Sequence, residues 1–167
     1  MSAGQTIAIR YPAGVTLPRD TDAAQIDTFA SADTVPQSFV VVSFDNSTTN
    51  FADWPIVMPQ HYSGGSIIVN IWWSTLASSG VAKWGAEGKK GTGQDLASST
   101  FGTEVLQAGT STGTGRTPVL TTIPMTAADF GTPLKGELFY LRINAVALLT
   151  TLNGKADLHS IELVEGA

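Results

Sequence analysis

The sequence predicts an all-β fold: an antiparallel two-sheet sandwich, most naturally a jelly roll of about eight strands, with an extended N-terminal arm. Three observations predict it. Charged residues make up 14% of the chain, against roughly 25% in an average soluble protein. Ser, Thr, Ala and Gly replace them, a surface that suits strands better than helices with exposed Lys, Glu and Arg. Second, short apolar runs recur at close spacing with turn residues between them. Third, the turn Tyr62-Ser63-Gly64-Gly65 leads into the strongest strand signal of the chain. Side chains alternate with period two, so Ile67, Val69, Ile71 and Trp73 share one face of that strand, and Ser66, Ile68, Asn70 and Trp72 share the other. A strand this apolar on both faces belongs at the centre of a sheet.

The elements follow in order. Residues 1–36 read as an arm with one short strand at Thr6–Arg10, interrupted by Pro12, Pro18 and Pro36. Asp20, Asp22 and Asp27, among Ala and Thr, suggest a helical turn capped by Thr21 or Asp22. Whether the arm docks on its own domain or on a neighbouring chain stays open. Residues 37–167 read as the sandwich. Phe39–Phe44 is a strand, and Asp45–Asn50 is turn chemistry. Phe51–Pro59 is a strand that Pro55 places at a sheet edge or bulge. After the strand ending in Trp73 come strands at Val81–Glu87 and Thr103–Gln107, separated by a glycine-rich loop at 88–99. A flexible Gly/Thr/Ser stretch at 108–115 precedes a strand at Arg116–Pro124 and one helical turn at Thr126–Phe130. Strands at Glu137–Val146 and Ala156–Val164 flank a turn marked by Asn153-Gly154.

The 167 residues suffice for one domain with a sizeable core. A net charge of −5 argues against nucleic-acid partners, because phosphate binding needs clustered Lys and Arg. The single basic pair, Lys89-Lys90, reads as a solvated loop tip. With no cysteine, disulfides, thiolate metal sites and Cys nucleophiles are excluded. The start Met-Ser-Ala-Gly-Gln-Thr lacks the features of a secretory signal, so synthesis in a host cytoplasm without export by that route is expected. No apolar run approaches the ~20 residues of a membrane helix, and no membrane partner is expected.

Residues able to carry chemistry are sparse. His61 and His159 lack metal-ligand spacing, and no metal or cofactor is expected. Asp45, Asp53 and Glu87 could supply a glycosidase carboxylate pair, but nothing in the sequence brings them together, and Asp45 is explained by its turn. Gly91-Thr92-Gly93 and Gly113-Thr114-Gly115 lack the lysine and helix of a phosphate loop. No catalytic constellation emerges, so a non-enzyme is expected. Trp72 and Trp73 point to opposite faces; Trp73 joins the core. Trp72 is left for a subunit contact, for cover by the arm, or for a glycan.

The order Phe44-Asp45, Phe51-Ala52-Asp53-Trp54, Met58-Pro59, Tyr62-Ser63-Gly64-Gly65, Ile67–Trp73 and Val81-Ala82-Lys83-Trp84 continues to Leu138–Ile143 and Gly154–Leu163. Over roughly residues 38–164 it resembles small β-sandwich structural proteins of tailed bacteriophages. One departure is Val81 directly after Gly80, where those proteins carry an acidic residue. The resemblance implies a virion structural protein on the capsid exterior. The leading expectation is a capsid decoration (cement) protein that binds the major capsid (coat) protein and forms a homo-oligomer, a trimer first of all. The alternative is a receptor- or glycan-binding appendage of head fibre or tail, its site formed by Trp72 and the loops at 88–99 and 108–116. Expected interface residues are Ile7, Ile9, Tyr11, Ile26 and Phe29 on the arm and Trp72 on the sheet.

Overall fold

The computed structural model describes residues 4–15, 22–77 and 79–166. It contains ten strands and three short 3-10 turns, with no α-helix among the described residues. The strands are β1 Thr6–Arg10, β2 Gln25–Ala30, β3 Ser38–Phe44, β4 Asn50–Val57 and β5 Ile67–Thr75, followed by β6 Val81–Lys90, β7 Val105–Thr110, β8 Val119–Met125, β9 Leu138–Ala145 and β10 Ala156–Glu165. They form the two antiparallel sheets of a jelly-roll sandwich, as the sequence predicts. One sheet has six strands in the order β2-β3-β10-β5-β8, with β1 also paired to β10. The other has four, in the order β4-β9-β6-β7.

β10 organises the larger sheet. One of its edges pairs with β5 along its whole length. Its other edge is shared, Ala156–Leu158 pairing with β3 and Ile161–Val164 with β1. At His159 the register against β5 shifts, because Leu158 faces Trp73 and Ser160 faces Trp72. That extra residue is a β-bulge.

Between the sheets, Ile67, Val69, Ile71 and Trp73 of β5 meet Ala52, Trp54 and Ile56 of β4, Phe139, Leu141 and Ile143 of β9, and Trp84 of β6. Trp84 sits edge-on to Phe44 and Trp73, with ring centroids 5.2 and 5.7 Å away. The indole N–H of Trp73 donates to Thr121 Oγ1 at 2.9 Å, so that ring is buried without an orphaned donor. Each Ile, Val, Leu or Phe among them contributes about 1.5–3 kcal/mol through burial. The expected turn after Thr126 forms at Ala127–Phe130, capped by Thr126 and Asp129, and it drops Phe130 into the core. Gly88 faces Phe130 and Phe139 so closely that a Cβ there would collide with both.

The described residues of the first 36 contribute two strands to the larger sheet. β1 occupies its part of the β10 edge, and β2 pairs with β3 over all six of its residues. Docking is thus within the chain. Asp27 lies in β2, not in a helical turn, because pairing with β3 satisfies the backbone that a helix would otherwise satisfy. Positions 20 and 21 lie outside the described residues. Pro55 stands on β4, an edge strand, where its missing N–H costs no ladder bond. The Gly64-Gly65 turn is fastened at both ends. Tyr62 donates its hydroxyl to the Gly65 carbonyl at 2.6 Å, and Glu165 Oε1 accepts from the Ser63 amide at 2.8 Å and from its hydroxyl. Burial, with the Glu165 charge nearby, pushes the Tyr62 hydroxyl up to about 12.

Candidate functional site

The outer face of the four-stranded sheet carries a cluster of charged side chains. Strand register builds it in rows. Asp53 of β4, Arg142 of β9 and Glu87 of β6 lie side by side, and the next row is Pro55, Tyr140 and Lys89. Arg142 donates through Nε and Nη2 to the two carboxylate oxygens of Asp53, at 2.8 and 2.9 Å. Such a two-pronged pair fixes the guanidinium plane. Burial works against the charge of Arg142, but Asp53 and Glu87 outweigh it and hold the guanidinium more firmly protonated than usual. Burial pushes the Glu87 carboxyl above the usual range; Arg142 opposes this, while Glu104 and Asp53 add to it.

The loop between β6 and β7 folds over this face. Lys89 is 9% exposed, and its ammonium donates to the carbonyls of Leu96 and Ser99 at 2.9 and 2.6 Å. Phe101 lies on the guanidinium of Arg142, with the central carbon 3.8 Å from the ring centroid. Asn144 donates to Glu104 at 2.6 Å, and the Gly102 amide donates to the Gly88 carbonyl at 2.8 Å. Gly85 leaves the space that the Asn144–Glu104 contact occupies. Between loop and sheet an open cleft of about 260 Å³ remains, lined by Asp53, Lys89, Leu96, Phe101, Tyr140 and Arg142. That is slightly under the roughly 300–1,000 Å³ of ordinary small-molecule pockets. It offers ring faces and hydrogen-bonding groups together.

Several expectations change here. Lys89 is a buried anchor and not a solvated tip, and Lys90 pairs with Glu137 at 2.8 Å. β6 runs on through Lys90, because β9 supplies a partner for every residue from Trp84 onward. Asp53 and Glu87 are brought to either side of Arg142, two strand spacings apart, while Asp45 stays in its turn and accepts from Ser47. Both oxygens of Asp53 are taken by Arg142, so the row is an ion-pair network. Among the described residues no group of three His, Asp or Glu side chains could hold a metal ion.

The expected interface residues scatter. Ile7 turns into the core at 8% exposure, because the bulge in β1 reverses its facing. Ile9, Tyr11 and Ile26 are exposed. Phe29 is half-buried, stacked on Phe39 at 5.1 Å, edge-on to His159 at 5.9 Å and covered by Arg116 at 4.0 Å. Trp72 is 42% exposed on the outer face of the six-stranded sheet. It therefore lies on the opposite side of the sandwich from the loop after β6. The loop before β8 is drawn toward the Trp72 side, where Arg116 reaches Asp157 at 3.3 Å. Trp72 and the two loops do not converge on one site.

No family model matches the chain, and no curated protein matches it. Solved structures do resemble it. The CBM22-1 xylan-binding domain from Paenibacillus barcinonensis superposes with a TM-score of 0.55 at 11% identity, covering 100% of this chain and 99% of that one. Two cleaved adhesin domains of Lys-gingipain from Porphyromonas gingivalis give 0.53 and 0.52, each at 14% identity and 98% of this chain, and 99% and 100% of theirs. At such identities the likeness is one of fold: this chain has the β-sandwich architecture that those domains share.

Proposed function

We propose that the chain is a non-catalytic glycan-binding module of the receptor-binding appendage kind, with the cleft on the four-stranded sheet as its binding site. The observation that carries this reading is the make-up of the cleft. Tyr140 and Phe101 supply ring surface beside Asp53, Lys89 and Arg142, on a floor made rigid by sheet pairing and a roof pinned by Lys89. Sugars present both an apolar C–H face and a rim of hydroxyls, and a rigid mixed surface recognises both at low entropic cost. A shared fold with a xylan-binding domain and two adhesin domains is in keeping with this. The test is a glycan array of microbial and plant polysaccharides, probed with the unaltered chain and with Tyr140→Ala. The expected result is selective binding that Tyr140→Ala loses while its thermal transition stays in place. No bound glycan, or full binding by the variant, refutes the proposal.

A second reading is a capsid decoration protein that binds coat subunits as a homo-oligomer, favoured by the resemblance over residues 38–164 and by the exposed Ile9, Tyr11, Ile26 and Val40. Copy number per virion separates the two. Hundreds of copies speak for decoration, a dozen for an appendage.

A further inference from the structure

The outer face of the six-stranded sheet has its own pattern of side chains. In the middle row, Ser160 of β10, Trp72 of β5 and Leu120 of β8 stand opposite one another. Trp72 and Leu120 are 42% and 46% exposed, forming a flat apolar strip. On one side of the strip runs a ladder of hydrogen-bonded polar groups across four strands. Thr122 donates to Asn70 Oδ1 at 2.9 Å, Asn70 donates to Glu162 Oε2 at 3.2 Å, and Thr6 donates to Glu162 Oε1 at 3.0 Å. On the other side, Ser74 Oγ and His159 Nε2 lie 2.8 Å apart. An exposed indole is thus bordered on both sides by polar side chains whose orientations are already set.

We infer that this face is a second saccharide-binding surface, separate from the cleft, in which Trp72 stacks on a neutral sugar ring and the Thr122–Asn70–Glu162 ladder receives its hydroxyls. The chemistry selects the occupant. A protein partner of ordinary composition would bury Trp72 but would also have to desolvate the polar ladder beside it. A pyranose chain needs the reverse, one ring face in apolar contact and a hydroxyl edge in polar contact. Glu162 is the only charged group in the ladder, so the ladder itself favours a neutral sugar over an anionic one. The ligand class is taken from the proposed function and rests on that reading; the location does not. With sites on opposite faces, two chains of one polysaccharide can be held at once, and avidity for the polymer exceeds affinity for a short oligomer.

The protein carries its own reporter. Trp54, Trp73 and Trp84 are 0% exposed, so iodide quenching of tryptophan fluorescence reads Trp72. The probes are neutral β-linked hexasaccharides of glucose, xylose, mannose and galactose, with the matching polysaccharides. In Tyr140→Ala protein, a hexasaccharide that binds is expected to abolish the iodide quenching. Trp72→Ala is expected to weaken retention on the polysaccharide about tenfold, through loss of avidity, while oligosaccharide binding in the cleft persists. If a hexasaccharide binds the unaltered chain but leaves quenching unchanged, or if Trp72→Ala holds the polymer as tightly, the second surface is overturned and the cleft stands. If no probe binds by calorimetry and none shields Trp72, the glycan reading of both sites falls. The quenching experiment requires no change at Trp72, so it decides the matter even where Trp72→Ala does not fold.

Discussion

Replacing Lys89 with methionine isolates what holds the roof of the cleft. Methionine keeps the length and the apolar stem but removes the ammonium, its two bonds to the Leu96 and Ser99 carbonyls, and its position 5.7 Å from the Phe101 ring centroid. Hydrogen bonds from a charged donor are worth roughly 1.5–3 kcal/mol each. Two terms reduce the sum. The freed carbonyls lie in an exposed loop and regain water, and the variant no longer buries a charge. The net loss worked from these terms is about 2 kcal/mol. For a domain of this size it lowers the thermal midpoint by about 4–8 °C. Urea unfolding gives the free energy. Amide exchange at Gly102, whose N–H is bonded to the Gly88 carbonyl, reports on the loop. If Lys89→Met unfolds at the same urea concentration and Gly102 exchanges no faster, Lys89 does not anchor the loop and the argument for a rigid roof fails.

Two further outcomes test other parts of the fold. Burial, helped by the Arg116 charge and opposed by Asp157, holds the His159 imidazole below its usual range. The unfolded chain therefore takes up a proton that the folded one resists. The His159 contribution to stability is complete above about pH 6.5 and is lost as pH falls through the lowered folded value. Unfolding curves at neutral and mildly acidic pH are expected to be less pH-dependent in His159→Gln; an identical slope in the variant counts against this assignment. Gly88→Ala drives a methyl group into Phe130, whose backbone as well as side chain stands in the way, so a loss of about 1–3 kcal/mol is expected in chemical denaturation. Unchanged stability there would mean that the turn holding Phe130 moves at no cost.

The central strand was legible because its signal is local. Ile67, Val69, Ile71 and Trp73 alternate within seven residues, and all four are fully buried. The division of the tryptophan pair follows from the same period, with Trp73 inside and Trp72 outside. β2 was not legible. It is an edge strand with five of its six residues exposed, so it shows no alternation, and its pairing with β3 is what makes it a strand. The cleft was hidden for another reason. Asp53 and Arg142 are 89 positions apart, and only the register of β4 against β9 against β6 puts them beside Glu87. Tyr140 and Arg142 could be assigned to the outward face of their strand from alternation alone. Nothing local says what a loop from another strand will lay across them. Lys89 misleads because a glycine-flanked lysine pair has the composition of a tip, while its burial depends on where that loop returns.

The shared edge of β10 has a consequence for assembly of the chain. As residues leave the ribosome, β1, β3 and β5 emerge long before the strand that pairs with all three. Until residues 156–165 arrive, the larger sheet lacks its middle, and three strands carry unsatisfied edges open to pairing with other chains. Most contacts in this topology join distant parts of the sequence, which makes folding slow and lengthens that exposure. A chaperone-bound nascent chain or a ribosome stalled before β10 therefore confronts the cell with strand edges in search of a partner, and the ten residues of β10 determine whether that partner is their own sheet.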